Sequence, residues 1–400
     1  MTRLPGTAPR LAVEWLLAVA AFAVYLLVVV PASRVRARRR RRRGELPAIL
    51  WGPVPIINIS YSARADRLFG YRSDTLVYDV YSINARREFD YVLDRLRSLP
   101  IVRRAVPYGA FLWAGLRYDV FGFFFDGGLL ASTPAWALEL PLLKLAGKKI
   151  VVYPYGGDAR LASVTRAHGR WNAFTDVPVG AEDRDEDEVR RRLEAFGRHA
   201  DAMLGCNDLV DELPRCDGVL RYPFDARGWD PVPEVDDGVV TVVHASNHRH
   251  YKGTRFVIDA VARLEEEGLP VELVLVEGMP REAARAAYTG ADVIASDFLI
   301  GGYALFAIEG MALGKPVLCY LPERLRRFHP EWEEAPIVNA SPETLTDELR
   351  RLVLDPELRR SLGERGPAYV QKHHSLESVG RDMDALYRRL FGDSASVAQT

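Results

Sequence analysis

The chain has 400 residues, enough for two medium-sized domains with additions, and 48% hydrophobic with 27% charged residues is ordinary globular usage. Its formal net charge of -1 excludes a nucleic-acid binder that works through overall positive charge. The three cysteines Cys206, Cys216 and Cys319 are odd in number, lack short metal-ligand spacing and have no neighbouring histidine, so they read as buried, reduced thiols.

Residues 1–10 form a short tail before LAVEWLLAVAAFAVYLLVVV, residues 11–30, in which Glu14 is the only charge. Twenty helical residues span roughly 30 Å, about one bilayer core, so the segment reads as a transmembrane helix that Pro31 is expected to stop. Residues 31–45 carry eight arginines between Arg34 and Arg43, against only Arg3 and Arg10 ahead of the apolar run. A secretory signal has the opposite charge order. The positive-inside rule places the arginine side and everything after it in the cytoplasm, giving a single-pass cell-membrane protein. A helix lying on the membrane surface is the alternative, but the segment has no polar face. The arginine run reads as a solvated stop-transfer flank that also meets anionic headgroups.

From residue 46 onward short apolar strands alternate with helical stretches, the pattern of parallel α/β architecture. Strands are expected at 48–51, 75–78, 119–125, 149–153 and 202–204, with helices at 56–69, 136–146 and 189–199. Ligands in such sheets bind beyond the carboxyl ends of strands, where Gly52–Pro55 and the Tyr153-Pro-Tyr-Gly-Gly-Asp158-Ala-Arg160 stretch fall. Asp158 and Arg160 lie in the second of these loops, where turn formation with a helix cap is one reading of them and a role toward the acceptor, implied only by the family resemblance described below, is the other. The acidic run EDRDEDE (182–188) contains an Asp-x-Asp, which in another context holds a divalent cation, but here it opens a helix whose N-terminus favours acids.

Residues 224–237 are polar, with two prolines and no periodicity, and read as an interdomain linker. A second α/β unit follows, with strands at 239–244, 271–276 and 292–295 and helices at 255–267 and 281–288. The loop 245–254 is basic, with Arg249, Lys252 and Gly253, and holds His248 and His250 next to His244 without a carboxylate at ligand spacing. The stretch FLIGGYALFAIEGMALGKPVLCY (298–320) reads as loop, buried helix and strand. Glu309 is a charge within that apolar helix. It is either half of a structural ion pair or a carboxylate facing a ligand cleft beside a glycine loop suited to phosphate.

The residues Gly302, Phe306, Glu309, Met311, Ala312, Gly314, Lys315, Pro316 and Val317 resemble the nucleotide-sugar signature of the retaining GT-B glycosyltransferases, the "group 1" or family 4-like transferases. The chain departs from that pattern at Gly301, where the family has a first glutamate that contacts the donor sugar. The resemblance implies that Glu309 accepts from ribose hydroxyls and that Lys252, Gly253, Arg249 and the Gly301 and Gly302 amides hold the diphosphate. Arg249 stands in for an arginine the family carries at the position of Asn247. Asp158, Lys252 and Glu309 are the residues placed nearest the chemistry, with no metal and no cofactor beyond a nucleotide-diphosphate sugar as donor substrate.

Helices at 341–354 and 356–373 complete the second unit, and a helix at 375–391 is expected to cross back to the first domain, followed by a disordered tail at 392–400. The fold expected is α/β GT-B, with two Rossmann-like domains (46–230 and 231–374) facing a cleft behind one transmembrane helix. The function expected is transfer of a hexosyl-type sugar, with retention, to a cell-envelope glycan or lipid-linked acceptor. A catalytically silent GT-B partner protein and a nucleotide-sugar epimerase are the alternatives, the first favoured by Gly301.

Overall fold

The computed structural model describes residues 7–99, 102–233 and 238–392, so residues 1–6 of the expected tail 1–10, residues 393–400 of the expected tail 392–400 and the linker residues 234–237 lie outside the described residues, while residues 7–10 are already helical. Among the described residues twelve strands form two parallel sheets. The first contains β1 (Ile49–Trp51), β2 (Ser73–Val77), β3 (Tyr91–Val92), β4 (Val120–Phe123), β5 (Lys149–Val152), β6 (Ala202–Gly205) and β7 (Gly218–Val219) in the order β3-β2-β1-β4-β5-β6-β7. The second contains β8 (Val240–Ala245), β9 (Val271–Val276), β10 (Val293–Ala295), β11 (Val317–Cys319) and β12 (Ile337–Asn339) in the order β12-β11-β10-β8-β9. Most central strands are unbroken apolar runs because helices cover both sheet faces. Strand order reverses between β1 and β4 and again between β8 and β10. Loops diverge at such switch points and leave a crevice, so the fold opens one crevice in each domain.

One continuous helix, α1, opens the described residues and comprises Thr7–Val24, a π-helical turn at Tyr25–Val29, and Val30–Arg43. Pro31 does not stop it. A proline removes one intrahelical donor and crowds the turn before it, and the wider π turn takes up that defect. The other long helices of the first domain are α2 (Ile57–Leu68), α3 (Val106–Arg117), α4 (Trp136–Leu145) and α5 (Glu186–His199). The acidic run opens α5, with Asp185 accepting from the Asp187 amide as the cap. The second domain has α6 (Thr254–Glu266), α7 (Arg281–Thr289), α8 (Leu305–Ala312), α9 (Leu345–Leu354) and α10 (Pro356–His373). The last helix, α11 (Leu376–Phe391), crosses back and packs on α2, with Tyr387 donating to Asp66 at 3.1 Å and Tyr71 to Asp384 at 2.7 Å.

The α1 helix is a third layer on one face of the first sheet. Tyr25 stacks on Phe111 of α3 at 4.5 Å, and Tyr25 and Val29 are fully buried, with Gly115 leaving the room they occupy. Burying a valine this completely is worth about 1.5 kcal/mol or more. The arginine run is not merely a solvated flank, because Arg40 is buried, pairs with Asp119 at 3.0 Å and lies over the Phe391 ring at 4.4 Å. Cys206 and Cys319 are buried as expected, whereas Cys216 is exposed.

Candidate functional site

The switch point of the second sheet gathers the loop after β8 and the loop after β10. At the end of β8 the imidazole of His244 is wholly buried, bonded through Nδ1 to the Ala295 carbonyl at 2.7 Å and through Nε2 to Thr254 Oγ1 at 2.9 Å. Burial pushes its pKa down to about 4, so it is a neutral tie between β8, β10 and the start of α6. His248 and His250 are exposed. Gly253 has φ +77, and a Cβ there would meet Leu299 and Phe298 at 3.2 and 3.3 Å. Only glycine satisfies both that conformation and that close approach.

The expected diphosphate cations are present in this loop, each with an acid partner. Arg249 makes a two-point pair with Glu277, 2.7 Å on each side, and Lys252 Nζ lies 3.0 Å from Asp297 Oδ1. Asn247, where the resemblance has an arginine, instead accepts from the Gly278 amide at 3.0 Å. The glycine loop differs from expectation in two ways. The Gly302 amide is not free for phosphate, because it donates to the Tyr320 carbonyl at 2.9 Å. At Gly301 a Cβ would fall 2.7 Å from Pro322 Cγ and 3.2 Å from Leu325, so the missing glutamate has no space at this position.

Glu309 sits on α8, 7% exposed, with Oε1 3.0 Å from Nη2 of Arg281, the first residue of α7. Burial pushes its pKa up to about 7 against the lowering pull of that guanidinium. Arg281 also bonds Tyr61 Oη of α2, so the carboxylate is tied through one arginine to the first domain. Both alternatives for Glu309 meet here, since Arg281 also lines a cavity of about 500 Å³ between the domains, with Tyr61, Asn84, Trp229 and Arg285 on its walls.

Asp158 is buried on the first-domain side and accepts from the amides of Phe125, Tyr155 and Gly156 at 3.0, 2.9 and 2.9 Å. Its carboxylate is turned into the loop after β5 and shapes it, which is the turn-forming alternative and not an open acid. Arg160 is likewise committed, to both oxygens of Asp208. Beyond it the segment after β5 reaches over α6: Trp171 meets Phe256, Phe174 meets Tyr251, and Asp176 pairs with Arg255 at 2.7 Å.

Sequence reasoning passed over three residues that the fold brings to this cleft. Asn207, with φ +44, is the non-glycine residue in the left-handed region among those described, and strain of this kind collects at working sites. Its Nδ2 donates to the Tyr303 carbonyl at 2.9 Å, and its side chain fills the space a Cβ on Gly302 would need. Asp297 and Arg281 are the others. A buried acid at the end of an apolar strand was a legible signal for Asp297, whereas Arg281 reads as an ordinary helix-start residue.

Residues 306–385 match the family model described as "Glycosyl transferase-like". No curated protein matches the chain. Among solved structures, a sucrose-phosphate synthase from Thermosynechococcus elongatus is 16% identical, with TM-score 0.61 over 87% of this chain and 100% of its own. Anabaena HepE, solved with UDP-glucose, is 11% identical, with TM-score 0.54 over 86% of this chain and 99% of its own. The fold is GT-B. A Listeria monocytogenes protein described as a UDP-N-acetylglucosamine 2-epimerase shares the GT-B frame at 11% identity, TM-score 0.51, over 86% of this chain and 96% of its own. Identities this low speak for the fold alone.

Proposed function

We propose that this GT-B protein is a membrane-associated glycosyltransferase that takes its sugar from a nucleotide-diphosphate donor. The observation that carries the reading is Glu309, a buried carboxylate on the helix after the switch-point strand, inside the matched segment and beside an interdomain cavity. In this reading the nucleoside enters from that cavity and its ribose hydroxyls replace Arg281 on Glu309. The diphosphate takes Lys252 and Arg249 from Asp297 and Glu277, so the two acids keep the cations positioned until phosphate oxygens arrive. As negative charge grows on the leaving phosphate, the same two cations stabilise it, which is catalysis by pre-placed charge. Transfer of a hexosyl group with retention, without a metal, to a glycan or lipid-linked acceptor presented by the first domain completes the reading.

The test is a thermal-shift and calorimetric screen of the full chain against UDP, GDP and ADP and their sugars, with magnesium and with EDTA. One nucleoside diphosphate is expected to bind equally in both conditions and its sugar to be hydrolysed or transferred. Lys252→Ala is expected to weaken that binding tenfold to a hundredfold, about 1.5 to 3 kcal/mol for a charge-assisted bond. The second reading, a silent GT-B protein acting as a membrane-bound partner, is favoured by the crowding at Gly301 and the acid partners on both cations. Binding of none of the nucleotides decides for it.

A further inference from the structure

The apolar N-terminal helix leaves an apolar surface that the rest of the fold does not cover. Its buried stripe is narrow: Ala18, Ala21, Tyr25, Val29 and Ser33 face the domain at helical spacing. The remaining circumference from Leu11 to Val28 is exposed and apolar, with Leu16 69%, Val19 65% and Leu27 78% exposed. Isolated surface leucines need no explanation, but a continuous apolar face of this length does.

How the helix is docked decides what can cover that face. Contacts run along α3 in the same chain direction, from the turn before it to its last residues. Glu14 pairs with Arg104, and its carbonyl accepts from Tyr108; Tyr25 stacks on Phe111; Ser33 donates to the Gly115 carbonyl; Arg36 donates to the Leu116 carbonyl. From Glu14 to Arg36 that is roughly 33 Å of helix at 1.5 Å per residue. In a parallel α/β layer α3 runs opposite to the strand it precedes, β4, so its start lies level with the cleft and its end with the strand beginnings. Arg40 on Asp119, just ahead of β4, fixes that lower end. A perpendicular bilayer crossing by residues 11–30 in this docked position would therefore carry α3 and the part of the sheet it covers into hydrocarbon, an environment that the polar surface of an α/β layer does not enter.

We infer that α1 does not cross the bilayer but lies in the plane of an anionic leaflet, wedged between the lipid and the first domain. The domain supplies the polar side that the sequence of the helix lacks. Cations flank the apolar face at both ends, with Arg103 and Arg104 beside Glu14 and Arg34, Arg38 and Arg39 beyond Val30, as phosphate headgroups on one surface require. Leu96, Leu99 and Val102, in the stretch that leads to Arg104, are exposed as well. This seating is independent of the transferase reading.

The test uses the full chain on vesicles of phosphatidylcholine with and without phosphatidylglycerol. Leu16, Ala20 and Leu27 share one exposed helix face, so each is changed to cysteine in a Cys216→Ser background, labelled with a fluorophore and quenched by lipids brominated at different depths. Equal, shallow depth at all three positions is expected, with N-terminal and C-terminal tags digested from the same side. A label at position 20 deeper than both others, or a tag protected on the far side, overturns the inference in favour of a crossing helix. Leu16→Gln with Leu27→Gln is expected to leave the melting temperature unchanged and reduce flotation with phosphatidylglycerol vesicles several-fold. Unchanged flotation, or a concentration-dependent dimer in place of vesicle binding, also overturns it, the latter by making a second copy the occupant.

Discussion

At Glu309 a single buried carboxylate has two partners to satisfy, Arg281 within the protein and the ribose proposed for the ligand. Glu309→Gln retains the shape and loses the charge opposite Arg281. Because that arginine is partly open to the cavity, water compensates some of the loss, and destabilisation of about 1 to 3 kcal/mol is expected, below the full cost of a stranded buried ion. The same variant is expected to weaken nucleoside diphosphate binding about tenfold; a lower melting temperature with unaltered affinity would assign Glu309 to structure alone. Gly301 makes the converse case. From the sequence, restoring glutamate there is a change of sugar preference, but the 2.7 Å approach of Pro322 makes it a steric fault. Gly301→Glu is expected to cost about 1 to 3 kcal/mol of stability through overpacking, read as a fall in melting temperature before any change in specificity.

Among the elements, α1 departs furthest from its sequence pattern. A free-standing anchor could be removed at residue 43 to leave an intact soluble protein. Here the cut would uncover Phe111 and Tyr108 and leave Asp119 without Arg40, so the truncated chain is expected to melt lower and aggregate. The arginines offer a cleaner comparison, since Arg40→Ala and Arg41→Ala change net charge equally. The first removes the nearer of two cations from buried Asp119, Arg36 remaining at 3.7 Å, and is expected to destabilise by about 1 to 3 kcal/mol, while the second, at an exposed position, stays within about 0.5 kcal/mol by chemical denaturation. The α3 helix was not legible as an element at all. Its sequence VPYGAFLWAGLR is apolar around most of its circumference because a sheet covers one side and α1 the other, and with a proline and two glycines it carries no amphipathic period. The strands β3, β7 and β12 were missed for a related reason: two or three residues at sheet edges hold too little pattern to detect.

Across the whole molecule, five buried carboxyls, Asp66, Glu139, Asp158, Glu212 and Glu309, are pushed up to about 7, chiefly by burial. An acid whose folded pKa is raised binds its proton more tightly in the native state, so its contribution is present at low pH and is lost as pH rises through about 7. His244 and His374, both pushed down to about 4, act in the opposite sense, losing stability as pH falls below their unfolded value near 6.5. Melting temperature at constant ionic strength is therefore expected to rise as pH falls from 8 through 7 and, five acids outweighing two imidazoles, to go on rising more gently toward about pH 4.5, near the unfolded carboxyl values. Glu139→Gln, whose carboxyl has two backbone donors and no cation partner among those recorded for it, is expected to flatten the upper part of that profile.

The sequence by itself determined the two α/β halves, the order of most strands and helices, the apolar N-terminal segment and the run from Gly302 to Val317 that marks the second crevice. These are local properties: strand and helix periods, glycine and proline punctuation and motif spacing are complete within ten to twenty neighbouring residues. Tertiary structure alone decided that Glu309 meets Arg281, that Asp297 holds Lys252, that Asn207 fills the space beside Gly302 and that Asp158 turns inward. It also decided that an apolar helix lies along the domain instead of standing free of it. Apart from the local turn bonds of Asp158 to Tyr155 and Gly156, each of these is a contact between segments that the chain keeps apart and only packing brings together, so neither partner carries a mark of the other in its own stretch of sequence.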